Sequence, residues 1–303
     1  MALQFGMSLR GTSGIEAAAR RIEALGFDHL FSGEHVAFHV PTPNNFISLS
    51  VAAGATERIG LVSAITLLPL YPPVLAAKMG AALDVASGGR FVMGVGVGGE
   101  YPREFEACGV PLHERGARAD EALAVIRRLW TETGVSFAGR FTNFDDLTIA
   151  PAPVQQPHPP IWVSGRKPAA VRRAARHGNG WMPYMYSPEM LRDSLVTLRE
   201  ECERIGRDAG EITPVQFVFT CVHPDRDTAI DHAVAALGRT YAQDFRTKAG
   251  RYTIVGTPAD CRARLQEYVD AGAQAVMFAS ACPADYVETN QQLIADELVA
   301  AHR

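Results

Sequence analysis

The chain has 303 residues, of which 47% are hydrophobic and 20% charged, with a net charge of −4. That is enough apolar material for one sizeable core, and it excludes a disordered chain or a basic nucleic-acid binder, since Lys and Arg are spread rather than clustered. No apolar run is long enough to cross a bilayer, no basic-then-apolar leader opens the chain, and its five cysteines stand far apart; together these point to a reduced, cytoplasmic protein.

Short apolar runs alternate with helical-period segments from end to end, the pattern of βα units around a parallel sheet. Leu3–Met7 opens as a strand, and Ile15, Ala18, Ala19, Ile22 and Leu25 then share one helical face that Gly26 ends. Strands follow at His29–Ser32, Ile59–Ile65 and Phe91–Val97, with helix predicted over Pro73–Val85 and Arg115–Trp130 between and after them. Pro160–Ser164, Gly180–Met182, Val215–Thr220 and Ala275–Phe278 complete eight strands, and Thr257 caps the helix before the eighth, with Pro258 in its first turn. Eight strands with intervening helices predict an α/β (β/α)8 TIM barrel with insertions after strands, in a single domain over 1–303. An open doubly wound sheet is the alternative; it would carry G-x-G-x-x-G after the first strand, and Phe5-Gly6-Met7-Ser8-Leu9 does not. Two stretches exceed the minimal repeat: a proline-rich excursion at 131–159 and a second at 238–256. Long loops of this kind are functional or mobile, and both are expected at the C-terminal rim, where barrels place chemistry.

Several residues are suited to chemistry there. Glu34-His35 follows the second strand, and a carboxylate beside an imidazole can orient it or raise its pKa; a hydrogen-bonded pair that merely ties the loop down is the bland alternative. Gly94-Val95-Gly96-Val97-Gly98-Gly99-Glu100 lets a flat ring or phosphate approach the backbone, or serves only tight turns. Val163-Ser164-Gly165-Arg166-Lys167 leads into a helix, as a phosphate site or as a solvated basic loop, with Gly178-Asn179-Gly180-Trp181 as a possible second phosphate contact. Thr66 offers a hydroxyl in a proline-fixed turn after the third strand. The other histidines form no H-E-x-x-H spacing, so no metal site is expected, and no nucleophile motif is present.

The ordered motifs resemble the luciferase-like flavin and coenzyme F420-dependent oxidoreductases. They are Ser87-Gly88-Gly89-Arg90-Phe91-Val92-Met93-Gly94-Val95-Gly96, the Arg115–Trp130 helix, Pro160-Ile161-Trp162-Val163-Ser164-Gly165, His177-Gly178-Asn179-Gly180-Trp181 and Val255-Gly256-Thr257-Pro258. The resemblance covers nearly the whole chain and implies a cofactor ring in the barrel mouth, resting on a bulge with a non-proline cis peptide at Ser63-Ala64. It further implies that Thr66 faces the ring, that Gly96, Val97 and Gly98 touch the ring or ribityl chain, and that Ser164, Gly165 and Arg166 hold the phosphate. Glu34 and His35 match an acid–His pair in which many members carry Asp, and Glu100 matches a carboxylate that some use as proton donor, displaced by the extra Gly99.

The activity implied is hydride transfer between coenzyme F420 and a small organic substrate, with His35, oriented by Glu34, moving the proton. Compact size, the Gly-Asn-Gly-Trp run, and Arg166 and Lys167 as partners for an acidic tail favour F420 over FMN. The alternatives are a two-component FMN monooxygenase and a non-catalytic flavin-binding barrel, with a lyase or isomerase on the same barrel behind them. A homodimer is expected, with no nucleic acid or membrane as partner. The substrate is set by the loops at 38–46, 131–159 and 238–256.

Overall fold

A computed structural model describes residues 2–303, so the first residue of the expected 1–303 domain lies outside the described residues. Eight parallel strands form the core: β1 (Gln4–Ser8), β2 (His29–Ser32), β3 (Gly60–Ser63), β4 (Phe91–Gly96), β5 (Ile161–Ser164), β6 (Gly180–Met182), β7 (Thr213–Val222) and β8 (Ala275–Ser280). Each pairs with the next and β8 pairs back to β1, which closes the ring into the expected (β/α)8 barrel.

Alternation along each strand sorts its side chains between two environments. Phe5, Leu30, Leu61, Phe91, Val163 and Phe278 point outward under the helices. Phe31, Val62, Val92, Trp162, Met182 and Met277 fill the barrel interior. The interior is packed large against small: a Cβ on Gly6 would lie 2.5 Å from Met277 Sδ, and one on Gly180 would lie 2.5 Å from the Trp162 ring.

Eleven α-helices accompany the strands: α1 (Ile15–Ala24), α2 (Asn45–Ala55), α3 (Pro73–Ala86), α4 (Pro102–Ala107), α5 (Arg115–Thr131), α6 (Pro168–His177), α7 (Pro188–Arg204), α8 (Arg226–Tyr241), α9 (Ala249–Tyr252), α10 (Pro258–Asp270) and α11 (Val287–Ile294). The Thr257 cap on α10 is a full capping box, with Asp260 answering the Thr257 backbone. Helix α2 has no counterpart in the sequence reading. It is apolar around most of its circumference, so no stripe marks it, and its signal is the Asn44 side chain accepting from Ile47 N at 3.2 Å.

The excursion at 131–159 starts away from the rim and returns toward it only along the outside of α5. It leaves the end of α5, which lies at the opposite end of the barrel from the strand C-termini, and forms a hairpin of Val135–Ala138 with Asn143–Leu147. Its tip climbs the outside of α5: Arg140 N and Phe141 N donate to Glu121 (2.8 and 2.9 Å), and the Arg140 guanidinium pairs with Glu114 at 2.8 Å. A connection that follows a helix rather than a strand starts on the wrong side for chemistry. The 238–256 stretch does sit at the rim, since Thr253–Gly256 pairs with Phe219–Val222 at the C-terminal half of β7.

Part of the glycine-arginine motif at 87–90 proves to be framework. The Arg90 guanidinium collects the carbonyls of Ala53, Thr56 and Ile59 at 2.9–3.0 Å, which ties the end of α2 to the start of β4. Asn179 works likewise at the barrel's lower end. It accepts from Ile161 N and Thr213 N, stitching the starts of β5 and β7, so the 178–181 run lies away from the mouth and is no second phosphate contact.

Candidate active site

Strand β3 ends at Ser63, and the chain then bulges before Thr66–Leu67 resumes pairing with Val95–Gly96 of β4. The cis peptide lies within this bulge at Ala64-Ile65, one residue beyond the Ser63-Ala64 position expected. Two glycines make room for it. A Cβ on Gly94 would stand 1.9 Å from the Ser63 carbonyl oxygen, and one on Gly33 would stand 2.9 Å from that of Ala64. Ser63 Oγ donates to the Gly94 carbonyl at 2.8 Å and fixes the bulge to β4. Ala64 and Ile65 are the partly exposed residues here, packed against the interior cluster. Thr66 is fully buried with its hydroxyl accepting from Asn45 Nδ2 at 3.1 Å, so it does not open onto the mouth as expected.

Beside the bulge, β2 delivers Glu34 and His35, but the two do not partner each other. Glu34 is buried and accepts from Leu67 N (2.8 Å), Tyr71 Oη (2.9 Å) and Asn44 Nδ2 (3.2 Å), which lashes the 34–44 segment to the turn after the bulge. Burial pushes its carboxyl up to about 7, against the pull of those hydrogen bonds. Desolvation and the neighbouring carboxylate push the Tyr71 phenol well above its usual range, so it remains a donor to Glu34.

His35 is oriented by Glu104 instead, a residue that sequence reasoning passed over. Its Nδ1 lies 3.1 and 3.2 Å from the two carboxylate oxygens, and Val36 N donates to Oε2 at 3.1 Å. Glu104 is fully buried on α4. A carboxylate only accepts, so Nδ1 carries a proton and Nε2 is the free working atom of the neutral ring. In sequence, Glu104 reads as an ordinary acid in the first turn of a helix behind Pro102, and only the fold brings it to His35 across 69 positions. Phe38 lies flat on the imidazole, with centroids 3.9 Å apart and planes at 8°. Residues 35–42 border an open recess of about 390 Å³.

Across the mouth, Gly96 ends β4, Val97 and Gly98 follow it, and Glu100 comes after them with its carboxylate accepting from the Tyr184 hydroxyl. Ser164 ends β5, and Gly165, at φ 137°, turns the chain into α6. A Cβ at Gly165 would lie 2.7 Å from that of Ala170, so both conformation and space ask for glycine. No side chain caps α6; Pro168 brings no N–H and Ala170 N donates to the Lys167 carbonyl at 2.8 Å, so Ala169 N is the first-turn donor left over, and Trp181 Nε1 fixes the Gly165 carbonyl at 3.1 Å. Arg166 stands beside this turn with its guanidinium 4.7 Å from the centre of the Tyr184 ring. An acid–base histidine on one side, a glycine-flanked bulge below, and an uncapped helix with an arginine opposite can hold a flat ring system with an anionic tail. Among the described residues no cluster suits a metal ion, no helix is long and apolar enough to cross a membrane, and all five cysteines are free thiols.

The chain is 28% identical to an F420-dependent glucose-6-phosphate dehydrogenase of Microbacterium testaceum, over 84% of each chain. It is 31% identical to an FMNH2-dependent dimethylsulfone monooxygenase of Pseudomonas putida, over 62% of this chain and 53% of that one. Relatives of uncharacterised function from Mycobacterium tuberculosis and Mycobacterium bovis are 34% identical, and the match spans 58% of their length. Among solved structures, monooxygenase RslO1 of Streptomyces bottropensis superposes with a TM-score of 0.88 over 99% of this chain and all of that one, at 27% identity. The luciferase-like monooxygenase profile itself matches residues 6–275, and the chain therefore belongs to that family of oxidoreductases.

Proposed function

We propose that the protein is a coenzyme F420-dependent oxidoreductase acting on a small organic substrate, a single-domain barrel that works as a homodimer. The observation that carries this reading is the His35–Glu104 pair beside the bulge: an imidazole with one nitrogen fixed by a buried carboxylate and the other without a hydrogen-bond partner among the described residues. The residues fit the cofactor, because the bulge at Ala64 and Ile65 gives a ring a surface, and the Ser164-Gly165-Arg166 turn at an uncapped helix suits its phosphate. When bound and reduced, the deazaflavin supplies a hydride to an electron-poor carbon of the substrate. His35 Nε2 delivers the accompanying proton in that direction and takes it up in the reverse one. Glu104 keeps Nδ1 protonated and offsets the charge on the ring when both nitrogens carry hydrogen. Gly96, Val97 and Gly98 border the ring and its ribityl chain, and Lys167 joins Arg166 in holding an acidic tail. Glu100, with Tyr184 donating to it, is a second proton-handling group on the opposite wall.

Support for F420 comes from the relative matched over 84% of both chains. The second reading, a two-component FMN monooxygenase, draws on the monooxygenase that superposes over the whole chain at 27% identity. Oxygen separates them. Turnover with reduced F420 that is unchanged between anaerobic and air-saturated buffer supports the first, and strict oxygen dependence with reduced FMN overturns it.

A further inference from the structure

An unbroken line of aromatic rings climbs one side of the mouth. Phe31 on β2 meets Phe217 on β7 (centroids 5.4 Å), Phe217 meets Phe219 (5.3 Å), Phe219 meets Tyr241 at the end of α8 (6.0 Å), and Tyr241 meets Phe38 (6.0 Å). Phe38 also touches Tyr101 at 6.2 Å and covers the face of His35. The lower rings belong to the barrel frame. Phe38 lies in the 38–46 loop and Tyr241 in the 238–256 excursion, and such loops are where barrels set specificity.

The rings of this wall carry no charge themselves, and the cations nearest to it lie against other side chains. Arg166 stacks on Tyr184, whose hydroxyl donates to Glu100. In the segment after α8, Arg246 pairs with Asp231, Lys248 lies over Phe245 and reaches Gln243, and Arg251 lies over Tyr252. A phosphate or carboxylate set directly against the Phe38, Tyr241 and Phe219 rings would give up water to uncharged surface, which is unfavourable. Flat conjugated systems instead gain edge and face contacts from such rings.

We infer that the substrate is an uncharged molecule with a planar aromatic or conjugated ring system, seated on the Phe38–Tyr241–Phe219 wall with its reacting atom toward His35. The inference rests on the oxidoreductase reading of the same mouth and adds the substrate class. It is tested by calorimetric titration of the protein loaded with oxidised coenzyme F420. The probes are benzylideneacetone, cyclohexanone and glucose 6-phosphate. Benzylideneacetone is expected to bind at least tenfold more tightly than either of the others. Phe38→Ala, on a partly exposed loop position, should weaken it about tenfold while leaving the cofactor Kd and the melting temperature near wild type; Tyr241→Leu should weaken it similarly. Glucose 6-phosphate binding as tightly as benzylideneacetone, no binding of benzylideneacetone, or an unchanged affinity in Phe38→Ala would overturn the substrate class. If F420 itself fails to bind, the same titration is run without it: ring selectivity then retains the substrate class while the cofactor reading falls.

Discussion

Replacing Glu104 by Gln probes the arrangement around His35 most sharply, because the wild-type carboxylate accepts from two donors at once. Val36 N and His35 Nδ1 both approach it at 3.1 Å. Gln has one acceptor oxygen and one donor amide. Turned so that the oxygen serves Val36 N, it presents N–H to Nδ1, and the neutral imidazole must shift its proton to Nε2. The stability cost is about 1 kcal/mol, since the buried N–H keeps a partner. The catalytic cost is larger. A ring with Nε2 already protonated cannot accept a proton there, and the imidazolium loses its buried counter-charge. General acid–base catalysis contributes about 10²–10⁴-fold, and we expect loss of the lower end, about 100-fold in kcat, or roughly 2.7 kcal/mol. Cofactor affinity should change little. Stopped-flow turnover gives the rate, and 15N spectra of labelled histidine give the tautomer independently of activity. Wild-type His35 should carry its proton on Nδ1 and the Gln variant on Nε2. The same tautomer in both proteins, with kcat within threefold, would refute the reasoning.

Other predictions follow from the same geometry. Burial holds the Glu34 carboxyl at about 7, above its ordinary 4.5, so the folded state binds more protons than the unfolded one between those values. Stability from this group is therefore full below about pH 4.5 and falls as pH rises through 7, by at most about 3 kcal/mol; Glu34→Gln should flatten that slope in urea titrations at pH 5 and 7.5. Gly94→Ala drives a Cβ into the backbone oxygen of Ser63, which cannot yield as a side-chain tip can. It should cost about 3 kcal/mol or more by denaturant titration, whereas Gly96→Ala meets the movable end of Ile65 and should cost less. Arg166→Gln should weaken F420 at least tenfold by fluorescence titration, with kcat at saturating cofactor near wild type. Arg140→Ala, at the hairpin tip outside α5, should leave kcat and cofactor binding unchanged and alter stability by about 1 kcal/mol or less.

The barrel was legible in the sequence because each strand is a short apolar run closed by glycine, proline or a cap, and periodicity reads such runs directly. Helix α2 was not, since a helix apolar on most sides shows no stripe. The 131–159 excursion was seen, but not that it departs from the far end and rises outside α5, because its length is visible in sequence whereas its departure from a helix terminus carries meaning only in the closed barrel. His35 was legible as a strand-end histidine. Its true partner was not, because the adjacent Glu34 looks like the natural one; successive side chains past the strand end go to different neighbours, Glu34 to Leu67 and Tyr71, His35 to Glu104. The bulge was placed to within one residue by resemblance, since Gly33 and Gly94 accommodate it without recording which peptide bond is turned.

The measurement that bears most directly on the account is a fluorescence titration of the purified protein with coenzyme F420 and, separately, with FMN. The account predicts tight binding of F420, lost on Arg166→Gln and kept on Glu104→Gln, with FMN weaker by tenfold or more. Tight FMN binding with little affinity for F420 would contradict it and make the protein an FMN-dependent monooxygenase of the same family.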